Sequence, residues 1–238
     1  MGYIFVHYGS EINLIIRKVD IVYLPAIILL SIIQYLLSAW RWYFIAYNTD
    51  TKIIYRDAVK YYYISGFLNN ILPSGIMGDI YRTMNIKINN QTNTNFLKSF
   101  QAVIFERLSG QITLFITFII SLGIFFLINQ KYEAFGYVLL LITSCLLITK
   151  LFFISNQANK YIINFKQIFS GGCFYKHFFL SLIIVLTYIT TYIICAFSLN
   201  LNIDIISFFV FAPIILFSMT LPVSIGGWGI RETTALVI

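Results

Sequence analysis

The sequence predicts an all-α, polytopic helical membrane protein, and three observations carry that reading. Of the 238 residues, 59% are hydrophobic and only 11% are charged, less than half the charged share of a soluble domain. The mean hydropathy is +0.84, which is more apolar surface than one soluble core can hide. Five stretches of 17–23 residues, at 21–40, 111–128, 135–154, 177–199 and 205–221, are almost free of charge, and each is close to the length that crosses a bilayer. A soluble enzyme, a nucleic-acid-binding domain and a disordered chain are excluded, even with a pI near 9.2. The whole chain, 1–238, reads as a single transmembrane domain.

The first stretch ends in Trp40-Arg41-Trp42, which reads as an interfacial belt. Lys150 is the only formal charge in the third, four residues from its end, where it can snorkel to the interface. Polar residues inside the stretches, such as Gln34, Thr113, Thr191 and Ser218, read as helix–helix hydrogen bonds. Between the stretches lie two short segments interrupted by glycine and proline, 58–82 and 221–232, and a polar loop at 83–98.

Loop charge sets the orientation. Sixteen Lys and Arg against nine Asp and Glu give a net charge of +7, and such an excess belongs on the cytoplasmic side. The loop at 155–176 carries three cationic residues while 200–204 carries none, so 155–176 lies inside. Working backwards, 82–107 lies inside as well. A full crossing by 58–82 would put Arg41, Lys52, Arg56 and Lys60 outside, against the charge rule. A re-entrant hairpin at 58–82 makes every loop agree, and Pro73 and Gly75 break it midway. Irregular backbone survives at that depth only where protein or a wet cavity satisfies it.

The two interrupted segments share a pattern. Leu72-Pro-Ser-Gly-Ile-Met-Gly-Asp-Ile-Tyr-Arg82 and Leu221-Pro-Val-Ser-Ile-Gly-Gly-Trp-Gly-Ile-Arg231 match at five of eleven positions, with Pro73 and Pro222 as the structural breaks. Paired broken segments in corresponding halves point to an inverted repeat around a transport site. These two motifs, with Glu106-Arg107-Leu108 and the closing Arg231-Glu232, resemble the lysylphosphatidylglycerol synthase transmembrane-region family, also described as flippase-like. The resemblance covers about 20–238. It implies an inner-membrane protein of a bacterium or archaeon that binds a phospholipid or lipid-linked glycan and translocates it. In other members it implies partnership with a glycosyltransferase. The chain has no cytosolic aminoacyl-transferase domain after the membrane region, so lipid lysinylation is not implied. It also reads as a fragment at both ends, because it stops six residues after Glu232 and its residues 1–20 resemble an external loop that family members reach after an earlier span.

Head-group binding is assigned to Arg82 and Arg231, because a guanidinium grips phosphate through two parallel charge-assisted bonds. The competing reading is that both arginines snorkel to bulk head groups. Gly75 and Gly78, with Gly226 and Gly227, permit tight turns and expose N–H groups at restarted helices. Asp79 reads as the N-cap of the first restarted helix, or else as the partner of a nearby cation. Glu106 and Arg107 open the span after the polar loop. Adjacent helical residues point about 100° apart, so the two need separate partners. Glu106 is read as neutralising Arg82 or Arg231, as a proton acceptor, or as half of an interfacial ion pair; Glu232 beside Arg231 carries the same readings.

Catalysis has little support. The sequence holds no phosphate loop, no H-E-x-x-H and no G-x-S-x-G, and its two histidines, His7 and His177, lack partners at ligand spacing. Three cysteines without CxxC spacing suggest no disulfide framework. The expectation is a lipid binder and translocator without catalytic activity, cofactor, metal or nucleic-acid partner. The alternative is a transferase acting on polyprenyl-linked sugars, or a scaffold for one; homo-oligomers are compatible with both.

The arginine assignment is testable. Arg82→Lys and Arg231→Lys each keep the charge but lose the planar fork, so retention of co-purified phospholipid at matched expression should fall about tenfold or more, corresponding to about 1.4 kcal/mol or more. Wild-type retention in both variants removes the two residues from the site.

Overall fold

A computed structural model describes residues 19–49, 51, 53–72, 76–89, 96–130, 133, 136, 168, 169, 171–201, 204–218 and 233. Among them are six helices and no strand: α1 (Leu24–Asn48), α2 (Tyr55–Ile71), α3 (Met77–Asn89), α4 (Phe96–Ile128), α5 (Gly171–Ser198) and α6 (Ile205–Ser218). Three segments are long and apolar enough to cross a bilayer, namely Ile21–Asn48, Phe96–Ile128 and Gly172–Ser198, and α6 is a shorter apolar helix. The expected span 135–154 apart from residue 136, the breaks Pro73, Gly75 and Pro222, and the whole 221–232 segment lie outside the described residues.

Helix α1 starts at Leu24 and carries Pro25 in its first turn, which the fixed φ of proline suits. A single 3-10 turn, Ile21–Tyr23, precedes it, with Val22 N–H donating to the Asp20 carboxylate at 3.1 Å. Exposed Ile28, Ile32 and Leu36 recur one turn apart, forming the apolar stripe that a lipid-facing helix needs. Helix α1 ends eight residues beyond the expected boundary at 40. Its polar termination is at Thr49 and Thr51, whose hydroxyls both donate to the Ala46 carbonyl. The Trp40-Arg41-Trp42 triplet does not face lipid as a belt would: Arg41 and Trp42 are buried against protein and only Trp40 is exposed.

Helices α2 and α3 form an antiparallel hairpin. Leu72 leaves α2 with φ −87° and ψ 146°, the extended geometry that a following proline imposes by clash with a helical predecessor. The return leg is held by Gly78, whose N–H donates to Asn69 Oδ1 at 2.8 Å, and by the edge-on rings of Tyr61 and Tyr81 at 6.2 Å. Two boundaries differ from the sequence reading. The polar segment 83–89 is the rest of α3, and α4 begins at Phe96, fifteen residues before the uncharged run at 111. Hydropathy marks where charge ends, whereas a helix continues as long as its backbone bonds and packing allow. The expected loop thus shrinks to 90–95, which is not described.

Helix α5 runs beside α1 and α4, and α6 lies along α4, where Leu114, Val185, Ile189, Ala212 and Leu216 make a shared core. Asp204 caps α6 by accepting from the N–H groups of Ile206 and Ser207 and from the Ser207 hydroxyl. The Ser207 hydroxyl bond holds its carboxyl below the ordinary carboxylate range. Gln34 donates to Thr191 Oγ1 at 2.8 Å across α1 and α5. The other polar span residues behave differently from expectation: Thr113, Thr187, Thr190 and Ser218 donate to carbonyls of their own helices. A hydroxyl three or four residues after a carbonyl already has an acceptor in reach.

Gly78 tests the hairpin. A Cβ there would lie 2.2 Å from the Ser65 carbonyl oxygen, a backbone atom, whereas one at Gly172 meets nothing within 4 Å. Gly78→Ala should lower stability by about 1–3 kcal/mol, the usual cost of overpacking, and Gly172→Ala should have little effect. Thermal unfolding in detergent checks this, and equal midpoints for the two variants would refute the close approach.

Candidate functional site: a buried ion network

Five helices converge on a cluster of charged side chains. Helix α1 supplies Arg41 and Trp42, α2 supplies Tyr62, α3 supplies Asp79 and Arg82, α4 supplies Glu106 and Arg107, and α5 supplies Ser181. Glu106 is buried, and its two oxygens serve different helices. Oε1 accepts from Arg41 Nη2 and, at 3.3 Å, from the Tyr62 hydroxyl, while Oε2 accepts from Arg82 Nη1 at 3.3 Å and Nη2 at 3.4 Å. Asp79 is also split, with Oδ1 accepting from Arg82 Nη2 at 2.5 Å and Oδ2 paired with Arg107. The i, i+3 spacing puts Asp79 and Arg82 on one face of α3.

The Arg82 guanidinium also lies over two adjoining rings, 4.9 Å from the centroid of Trp42 and 4.7 Å from that of Tyr62. Such cation–π contacts add about 0.5–2 kcal/mol as the pair is desolvated. Space for Arg41 comes from Gly110, one turn after Glu106, since a Cβ there would lie 3.1 Å from Arg41 Nη1. Three guanidiniums against two carboxylates leave the five side chains at net +1. Arg107 is the most exposed of the five, its side chain 34% exposed while those of Arg82 and Glu106 are nearly inaccessible. Three N–H donors in the interior, Arg41 Nε, Arg82 Nε and Trp42 Nε1, have no acceptor among the described residues. An interior site with spare donors and positive charge suits an oxygen-bearing anion.

The structure brings together four residues singled out in the sequence: Asp79, Arg82, Glu106 and Arg107. Asp79 is not the N-cap of α3 but its third residue, with its N–H donating to the Ile76 carbonyl; the reading as partner of a cation is the one the structure shows. Glu106 and Arg107 do not open a helix, since α4 already has three turns by that point. They do take separate partners, as their angular separation requires. Gly78 holds the hairpin together. Gly75, Gly226, Gly227, Arg231 and Glu232 lie outside the described residues.

Sequence reasoning missed Arg41, Tyr62 and Trp42. A signal was present on α1: Gln34, Ser38 and Arg41 recur at i, i+4 and i+7, a polar stripe on one helical face. All three are buried, so the stripe marks the side of α1 that faces protein. Among the described residues, no group of three or more His, Cys, Asp or Glu side chains is placed to hold a metal ion.

Long apolar helices around an internal charged cluster define a polytopic helical membrane protein, in which buried ionisable groups mark functional interiors. The chain belongs to the lysylphosphatidylglycerol synthase TM region family, whose model matches residues 2–238. No curated protein and no solved structure matches it. Family membership makes it a membrane protein related to lipid handling.

The network predicts unequal costs. Glu106→Gln removes the charge shared by two buried guanidiniums and should destabilise by about 3–5 kcal/mol, as breaking a buried pair does. Arg107→Ala removes a part-exposed cation and leaves Asp79 its second partner, Arg82, so it should cost less, about 1 kcal/mol. Thermal unfolding in matched detergent measures both, and a Glu106→Gln midpoint equal to that of Arg107→Ala would contradict the bridging role.

Proposed function

We propose that this protein binds a lipid with an anionic head group, either a phospholipid or a lipid-linked glycan, and moves it between leaflets without catalysing a reaction. The observation that carries the reading is the interior network at net +1, bordered by orphaned N–H donors and opening at Arg107. Arg82 serves as the inner ligand and exchanges Glu106 or Asp79 for a head-group oxygen. Arg107 serves as the first contact at the rim. Arg231, in the matching motif, serves the other half of the repeat.

Asp79 and Glu106 fit this role better than acid–base catalysis. A general acid or base needs a free approach to the reacting proton, and both carboxylates are held by guanidiniums. The exchange of partners within the network gives binding its reversibility: each carboxylate released by the arriving anion keeps a second cation. The protein is placed in the inner membrane of a bacterium or archaeon, acting alone, as a homo-oligomer or beside a glycosyltransferase. The α2–α3 hairpin enters and leaves on the cytoplasmic side, which keeps Arg56 and Lys60 inside.

Two measurements decide between outcomes. Native mass spectrometry of gently purified protein should show a retained anionic lipid, lost in Arg82→Lys; retention of neutral lipid alone overturns the reading. Single cysteines at positions 52 and 90 should both resist an external impermeant reagent in intact cells. Labelling of position 52 from outside would make the hairpin a full crossing.

A further inference from the structure

His177, which the sequence left without a role, is joined to the ion network by an unbroken run of hydrogen bonds. Arg41 Nη1 donates to Ser181 Oγ at 3.1 Å, Ser181 Oγ lies 3.0 Å from Ser109 Oγ, and Ser109 Oγ lies 2.9 Å from His177 Nδ1. On the far side of the ring, Nε2 lies 3.0 Å from the Ile168 carbonyl oxygen. All four side chains are buried, and the rings of Phe169 and Phe174 stand edge-on to the imidazole at 5.1 Å and 5.5 Å. Unlike Thr113 and Thr117, neither Ser109 nor Ser181 turns its hydroxyl back onto its own helix.

With a neutral imidazole, the two ends fix every proton between them. A guanidinium only donates and a carbonyl only accepts. Ser181 therefore accepts from Arg41 and gives its proton to Ser109. Ser109 gives its own to Nδ1, and Nε2 carries the proton donated to Ile168. In this order the neutral imidazole carries its proton on Nε2. With a proton on Nδ1, Ser109 would lose its acceptor and Ser181 would lose the order that turns its lone pair to Arg41.

We propose that His177 is a positioning residue for the ion network: as the neutral Nε2–H tautomer it aligns Ser109 and Ser181 so that Ser181 engages Arg41 Nη1, leaving Arg41 Nη2 to Glu106. This deepens the proposed head-group site by naming what orients its α1 arginine, and it rests on that reading only for the use made of the arginine. The relay also ties the network to Ile168, so the start of α5 and the backbone before it share one hydrogen-bonded path with the site.

The test needs no lipid. The chain has two histidines, so 15N-histidine labelling, with His7→Gln for assignment, gives a resolved spectrum of the detergent-solubilised protein. His177 should show an unprotonated Nδ1 and a protonated Nε2 at neutral pH; a proton on Nδ1 overturns the proposal. A stability cycle reads the positioning itself. His177→Gln should lower the unfolding midpoint in the wild-type background and change it at most half as much in Arg41→Met. If Arg41→Met does not fold, Ser181→Ala cuts the relay in the middle and serves as the second background. Ser109→Thr, which keeps the hydroxyl, should preserve the coupling between His177 and Arg41, and Ser109→Ala should abolish it while the Ile168 carbonyl still holds the proton on Nε2. Equal effects of His177→Gln in both backgrounds overturn the proposal. Loss of lipid binding with the tautomer and coupling intact would count against the head-group reading alone.

Discussion

The arrangement of the described helices depends on one carboxylate serving two guanidiniums from different helices. Glu106 is 2% exposed, and burying its charge uncompensated would cost several kcal/mol. It is compensated only if α1 delivers Arg41 to one oxygen and α3 delivers Arg82 to the other. Each delivery fixes a helix against α4 in rotation and in height, because a slip of one residue turns the side chain by about 100°. Apolar contacts cannot enforce such a register, since lipid tails are as apolar as leucine. The network therefore specifies which faces meet more than it adds net stability.

The residues around it are chosen for what they leave room for. Gly110 opens space for Arg41, and Gly78 lets α3 approach the Ser65 backbone of α2. Trp42 and Tyr62 then lie against Arg82, giving its charge polarisable neighbours where water is excluded. Small residues set the approach of the helices, aromatic rings fill the remaining space, and the ions decide the register.

The membrane class was legible because it follows from composition summed over windows of about twenty residues. The shared Pro/Gly motif and the charges flanking it led to Asp79, Arg82, Glu106 and Arg107, which the structure places in one cluster. Helix ends were not legible, because α1 and α4 carry charged residues well inside their length. A charged residue next to tryptophans reads the same way at an interface as it does against a protein partner. Arg41 was therefore assigned to lipid, when only the polar stripe through Gln34 and Ser38 distinguishes the two environments. The Asp79 cap failed for a similar reason: the break after Leu72 lies where the motif suggests, but the helix resumes two residues before Asp79. No local pattern encodes the contacts among Arg41, Tyr62 and Ser181, which come from three helices separated by up to 140 positions.

The length of α4 fixes the depth of the charged cluster. Its 33 residues span about 50 Å at 1.5 Å per residue, well beyond the roughly 30 Å of hydrocarbon. The uncharged run 111–128 accounts for about 27 Å of that. With this run filling the hydrocarbon, Glu106 stands about 7 Å past its edge, level with the head groups. A charge at that level crosses almost none of the transmembrane voltage drop, which is worth about 2.3 kcal/mol per elementary charge per 100 mV only for full transit. On the proposed reading, exchange of ions within the cluster would be electrically silent, and the voltage would act only on charge that travels beyond it.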